Sequence, residues 1–289
     1  MECKKVAVTG ANGYIGCHVI DRLLELGQEV IAVDIRGNHV DKRAKFIEKS
    51  ILDANEKVFE ELGKPDVCIH LAWRDGFQHN SDAHMGDLSK HYMFIKNMFE
   101  GGLENLSVMG SMHEIGYWEG AINENTPANP LSMYGIAKNS LRQASKLLAE
   151  KYGKNLKWLR GFYILGDDLS NHSIFTKLLE KAKAGEKTFP FVSGKNKYDF
   201  LDVHELANQI VLASLQSEIT GEINCCSGKP VSLGEKVEKF IKENELDIQL
   251  EYGAFPDRPY DSPSIWGDST RIDMILTRQR EKEDSPSEK

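Results

Sequence analysis

The chain has 289 residues, 40% hydrophobic and 28% charged, which is enough for one large domain or a domain with a smaller lobe. A formal net charge of −8 argues against nucleic acid or an anionic membrane surface as the main partner. It leaves room for a small anionic ligand at a helix N-terminus. No apolar run reaches the roughly 18 residues of a membrane span, and Met1–Lys5 shows no signal-peptide pattern. Cys3, Cys17, Cys68, Cys225 and Cys226 are sparse and lack metal-ligand spacing. They read as reduced thiols of a cytoplasmic protein, with no disulfide framework and no metal site.

In chain order, the strand "VAVTG" leads into "YIGCHVIDRLLELG", whose apolar residues recur every three or four positions until Gly27 stops the helix. Then come strand "EVIAVDI", the short "KFIEKSILD", helix "NEKVFEELG" and strand "PDVCIHLAW". Helix "MGDLSKHYMFIKNMFEGG" precedes strand "LSVMGSMHE", and helix "YGIAKNSLRQASKLLAEKYG" precedes "LKWLRGFYIL". This alternation predicts right-handed crossovers and an α/β fold, a Rossmann-type doubly wound parallel sheet over residues 1–166. Beyond it, short strands such as "YDFLDV" and "GEINCCSG" predict a smaller α/β substrate lobe over 167–277. That lobe is expected to be discontinuous, with part of it returning to the main sheet. Residues 278–289 are charged and apolar-poor, and read as a disordered tail.

The first strand runs straight into "TGANGYIG", residues 9–16. Gly10 permits a tight turn, Gly13 lets the backbone approach a pyrophosphate, and Gly16 lets helix and strand pack closely. Asn12, Tyr14 and Ile15 lie in the same loop and first helical turn. Asp34, at the end of the second strand, can accept from both adenosine ribose hydroxyls and would repel a 2′-phosphate, so NAD is favoured over NADP. Arg36, two positions on, can stack on adenine or meet a phosphate.

The motif is joined downstream by Tyr134 and Lys138 in "YGIAK" and by Ser111 in "MGSMHEIG". With these, the chain resembles the extended short-chain dehydrogenase/reductase family: nucleotide-sugar epimerases, dehydratases and reductases. The resemblance runs over most of the chain. "SILD" resembles the family's third-strand end and puts Asp53 near adenine. "HLAW" resembles its His-Leu-Ala-Ala segment and puts Leu71, Ala72 and Trp73 at the cofactor, with Trp73 as a bulky substitute near the nicotinamide. "LRGFYILG", "YDFLDVHELANQI" and "DRP" match later family segments, and imply that Tyr163, Tyr198 and Arg258 lie near the substrate. Two of them depart from the pattern: Tyr163 replaces an asparagine and Tyr198 an arginine. That leaves Arg258, with Arg160, Lys195 or Lys197, to neutralise a pyrophosphate, and leaves Tyr198 free to stack on a base.

A lysine beside a phenol lowers the tyrosine pKa toward neutrality, which would let Tyr134 exchange a proton with a sugar hydroxyl or ketone. Lys138 is also expected on the nicotinamide ribose, and Ser111 on the reacting substrate oxygen. Met112 stands where family dehydratases carry an acid, which argues against a 4,6-dehydratase. His113 faces the substrate by analogy and His172 lies near the partner position, so the two can act as an acid/base pair or serve as plain binding and helix residues. These features point to an NAD-dependent enzyme acting at carbon 4 of a nucleotide-linked sugar, leaning to an epimerase that retains its NAD. The alternatives are a 4-keto-6-deoxy nucleotide-sugar reductase using NAD(P)H and a catalytically silent NAD-binding sensor or scaffold. The resemblance further implies a homodimer through a four-helix interface from helices near 86–100 and 134–151, where Phe94, Ile95, Met98 and Phe99 serve either the interface or the core.

Overall fold

A computed structural model describes residues 2–166, 174–257 and 261–284. The chain begins β1 (Lys5–Thr9), α1 (Tyr14–Glu25), β2 (Glu29–Asp34), β3 (Lys45–Glu48), α2 (Val58–Glu61) and β4 (Val67–His70). It continues through α3 (Ala83–Gly86), α4 (Leu88–Gly101), β5 (Asn105–Ser111), β6 (Gly120–Ile122), α5 (Met133–Tyr152), β7 (Asn155–Gly161) and β8 (Tyr163–Leu165). Next are α6 (Ile174–Lys183), β9 (Thr188–Pro190), β10 (Lys197–Asp202), α7 (Val203–Leu215), β11 (Gly221–Cys225) and β12 (Pro230–Ser232). The last elements are α8 (Leu233–Glu243), β13 (Gln249–Glu251), β14 (Ser264–Gly267) and α9 (Thr270–Asp284).

Among the described residues, seven parallel strands form the main sheet in the order β11-β7-β5-β4-β1-β2-β3. The order reverses about β1, so the chain winds outward in both directions and opens a crevice at the carboxyl ends of β1 and β4. Alternation along β1 shows the two layers. Val6 and Val8 pack with Val19, Ile20 and Ile210 of α1 and α7, whereas Ala7 packs with Phe94, Ile95 and Leu141 of α4 and α5. Phe94, Ile95, Met98 and Phe99 are all buried within this monomer core. β11 pairs with β7, which carries the chain back from the smaller sheet to the main one.

The smaller sheet has the order β12-β10-β14-β6, with β8 alongside β10. Nearby, Leu178, Phe189, Phe191, Val237 and Ile248 make a separate small core under β9 and β13. One side chain ties the smaller sheet to its neighbours. Buried Asp199 on β10 accepts from Ser227 N (2.8 Å), Ser227 Oγ (2.6 Å), Gly228 N (2.9 Å) and Gly267 N (3.2 Å).

The tail departs from expectation, because α9 runs to Asp284 and so holds the first part of 278–289 as helix. Composition argued for disorder, but Ile272 and Ile275 are buried and α9 packs on α7, while Arg278 pairs with Glu218. Burying one apolar stripe extends the helix into an otherwise polar sequence.

Replacing Asp199 with alanine leaves three buried or half-buried N–H groups without their acceptor. Urea unfolding of Asp199→Ala is expected to show a loss on the order of 3 kcal/mol against the parent protein, given the cost of orphaned buried donors.

Candidate active site

The turn after β1 is built around close backbone approaches. Gly10 has φ of 70°, and a Cβ there would lie 2.6 Å from Ala72 N, in the segment after β4. A Cβ on Gly16 would lie 2.1 Å from Gly10 O. Both positions therefore demand glycine, for the turn and for helix–strand contact respectively. Gly13 N donates to Gly10 O at 3.1 Å, and exposed Gly13 caps α1 with no side chain of its own, leaving the positive end of that helix open to an anion. At the end of β2, Asp34 accepts from Asn12 N (3.0 Å) and Ile35 N (2.7 Å). The Asn12 side chain accepts from His39 N and donates to Asn38, tying the loop after β2 to the glycine turn. Leu71 and Ala72 border the same crevice, Arg36 is exposed beyond Asp34, and Asp53 ends a 3-10 turn next to β3. The shape and donor set fit a dinucleotide.

Ser111 ends β5, and α5 begins with Ser132 as its cap, accepting from Gly135 N at 3.1 Å. A Cβ on Gly135 would lie 2.3 Å from His113 O, so glycine there lets α5 press against the turn after β5. That contact brings Tyr134 beside Ser111, whose hydroxyl favours the ionised form of the phenol. One turn on, the Lys138 ammonium is buried and donates to Met109 O at 2.6 Å.

Burial sets the protonation states. It pushes the Tyr134 phenol up to about 12, with the Ser111 hydroxyl opposing and the Glu114 charge adding. The expectation of a near-neutral phenol is thereby corrected, because desolvation outweighs the opposing Ser111 contact. Lys138 is pulled down to about 7 by burial, against the opposing pull of Glu114. Burial and the nearby His79 take His113 down to about 4, away from the neutral working range expected of an acid/base histidine.

Tyr134 is ringed by aromatic side chains. His79 lies 5.3 Å away and nearly parallel, His84 at 5.3 Å, His113 at 6.1 Å and Trp73 at 6.1 Å. His113 also contacts His79 at 4.3 Å. Tyr163 and Tyr198 face each other at 4.3 Å, and Tyr198 is a core side chain whose hydroxyl accepts from Asn196. That placement corrects the expectation of a ring free to stack on a base. His172 and Arg258 lie outside the described residues.

Sequence reasoning passed over Glu114. Its buried carboxylate accepts from Ser111 N (2.6 Å) and Trp158 Nε1 (2.9 Å), with Arg160 at 3.6 Å and Arg142 at 3.7 Å. Arg160 is thus committed to the core behind Ser111, corrected from a candidate pyrophosphate ligand. The Ser-x-x-Glu spacing in "SMHE" is a capping-box signature and was the available signal. For His70, His79, His84 and His91, no spacing rule links residues carried on separate elements.

The profile of the NAD dependent epimerase/dehydratase family matches residues 6–226. The chain is 44% identical over 267 residues to dTDP-6-deoxy-L-talose 4-dehydrogenase (NAD(+)) of Aggregatibacter actinomycetemcomitans, covering 91% of this chain and 98% of that protein. It is 28% identical over 260 residues to a UDP-glucose 4-epimerase of Corynebacterium glutamicum, covering 81% and 78%. Among solved structures, UDP-N-acetylglucosamine 4-epimerase from Methanobrevibacter ruminantium shares the fold at a TM-score of 0.80 and 24% identity, over 95% of this chain and 92% of that one.

The buried lysine makes stability depend on pH. Unfolded, Lys138 holds its proton to the ordinary 10.5; folded, only to about 7. Between those values the unfolded chain binds more protons, so this group's contribution to stability rises with pH. Thermal melts are expected to show the parent protein gaining on Lys138→Met as pH is raised from 7 to 9.5.

Proposed function

The chain belongs to the NAD dependent epimerase/dehydratase family, and from that membership we propose that it is an NAD-dependent 4-dehydrogenase/4-ketoreductase of a dTDP-linked 6-deoxyhexose. The observation that carries this reading is the convergence of Ser111, Tyr134 and Lys138 beside the glycine turn and Asp34. The sugar class is supported by the 44% identity to a dTDP-6-deoxy-L-talose 4-dehydrogenase over nearly its whole length. Ketone reduction was the alternative to a retained-cofactor epimerase, and the rings packed about Tyr134 favour it, since an epimerase must let a keto sugar turn over within its site.

Gly10, Gly13 and the N-terminus of α1 hold the pyrophosphate, and Asp34 holds the adenosine ribose. When bound, NAD supplies the hydride donor or acceptor. Tyr134 exchanges the proton at the sugar C4 oxygen, and Ser111 orients that oxygen by a hydrogen bond. Lys138, in its charged form, favours the ionised phenol beside it. Because burial holds the Tyr134 proton up to about 12, the residue stands ready at neutral pH to protonate a ketone and must be ionised to accept a proton from an alcohol. Asp53, Leu71 and Ala72 border the dinucleotide, while His113 and Tyr163 lie on the sugar side. The α4–α5 pair exposes Met93, Ile136 and Leu147, an apolar face suited to a homodimer.

The test is to supply dTDP-6-deoxy-L-talose with NAD⁺, and separately the 4-keto sugar with NADH, and follow cofactor and sugar together. Reduced nicotinamide forming in step with loss of the alcohol supports the reading. A C4 epimer forming without net cofactor change identifies an epimerase instead. Tyr134→Phe is expected to lose on the order of 10²- to 10⁴-fold in turnover while still binding NAD. The initial rate of sugar oxidation should climb with pH from 7 to 10, whereas ketone reduction should not.

A further inference from the structure

Lys138 carries a charge in a place with little water, and a single carbonyl, Met109 O, accepts from it at 2.6 Å. An ammonium has three donors and a large hydration energy to replace. A second partner is present in an unexpected residue. The Lys138 Nζ lies 3.9 Å from the centre of the Trp73 ring, directly over its face. Among the described residues Trp73 is the tryptophan with a lysine over its ring.

The indole is held from every side. His91 stacks on it at 4.5 Å and 17°. Trp73 Nε1 donates to His84 Nδ1 at 3.0 Å, which fixes the rotation of the ring. Behind it, His91 Nδ1 meets His70 Nε2 at 3.0 Å, and His70 Nδ1 meets Thr9 Oγ1 at 2.7 Å. Thr9 Oγ1 also accepts from Ala72 N at 3.4 Å, next to the glycine turn. Burial takes His91 down to about 3 and His70 well below its usual value, so both imidazoles are uncharged at neutral pH. A neutral stack behind the indole leaves its electron-rich face available to a cation.

We propose that Trp73 is the positioning residue for Lys138: its indole face seats the ammonium beside Tyr134 and favours its charged form. The role assigned to Lys138 rests on the function proposed above, but the contact itself does not. The groups facing Lys138 or its indole seat come from several elements. They are Tyr134 on α5, Ser111 at the end of β5, Glu114 in the turn after it, His70 on β4, His84 on α3, His91 on α4 and Asp87 just before α4. Of these charges, Glu114 works with Trp73 in favouring the cation, and burial works against both.

The test uses full-length protein labelled with ¹³Cε-lysine, titrated by NMR without substrate, with the Lys138 signal assigned by its absence in Lys138→Met. In the parent protein this signal is expected to be displaced upfield by the indole ring current. Trp73→Leu removes the π face and keeps apolar bulk; it should abolish the displacement and lower the Lys138 midpoint by roughly half to one and a half pH units, the range expected for a desolvated cation–π contact. Trp73→Phe should fall between the two. Parent protein grown on fluorinated tryptophan keeps its packing with a weakened ring face, and its midpoint should also drop. Midpoints that stay in place or rise in Trp73→Leu and in the fluorinated protein overturn the proposal. If the shifts appear but no nucleotide sugar is turned over, the functional reading fails and the Trp73 seat stands. Turnover with unmoved midpoints means the opposite: the enzyme reading stands and the Trp73 seat fails.

Discussion

A lysine ammonium at the carboxyl end of the sheet, cut off from bulk water, sets terms that its surroundings have to meet. Burial alone would discharge it, and it sits near 7 where an exposed lysine sits near 10.5. Three different groups offset that cost: the Met109 carbonyl, the face of Trp73 and the carboxylate of Glu114. Each is anchored by a different part of the fold. Met109 lies on β5, Trp73 follows β4 and is clamped by α3 and α4, and Glu114 sits in the turn that leaves β5.

Glu114 links the site to the rest of the molecule. Its carboxylate caps the turn that carries Ser111 and receives the Trp158 indole from β7. Arg142 reaches it from α5 and also pairs with Glu222 on β11, while Arg160 reaches it from β7 and donates to Asn224 on β11. Gly110 permits this packing, because a Cβ there would lie 2.1 Å from the Trp158 nitrogen. The same anion raises the proton affinity of both Tyr134 and Lys138. A charge placed for structural reasons thus also adds to the proton affinity of the two residues in front of it, which burial moves most.

Much of the frame was legible because it is written locally. The glycine spacing needs only a strand before it and a helix after it, and Asp34 follows at the end of the next strand. Tyr134 and Lys138 meet because they are four apart on one helix. Errors arose where a local rule met a distant contact. The charged tail becomes helix because two isoleucines find α7, and Tyr198 reads as a ligand until its ring is seen buried against Tyr163. Arg160 looked available to an anion, yet a carboxylate three residues beyond Ser111 already claims it.

By itself, then, the sequence determined the alternation of strand and helix, the dinucleotide cradle and the pairing of a phenol with a lysine, since each depends on neighbours within a few residues. The tertiary structure alone decided which groups are charged and what holds them: that Tyr134 keeps its proton, that His91 and His70 are neutral, and that a tryptophan lies over Lys138. Proton affinities follow from the sum of burial and field over side chains brought together from β4, α3, α4, β5 and α5, and no interval along the chain encodes that sum.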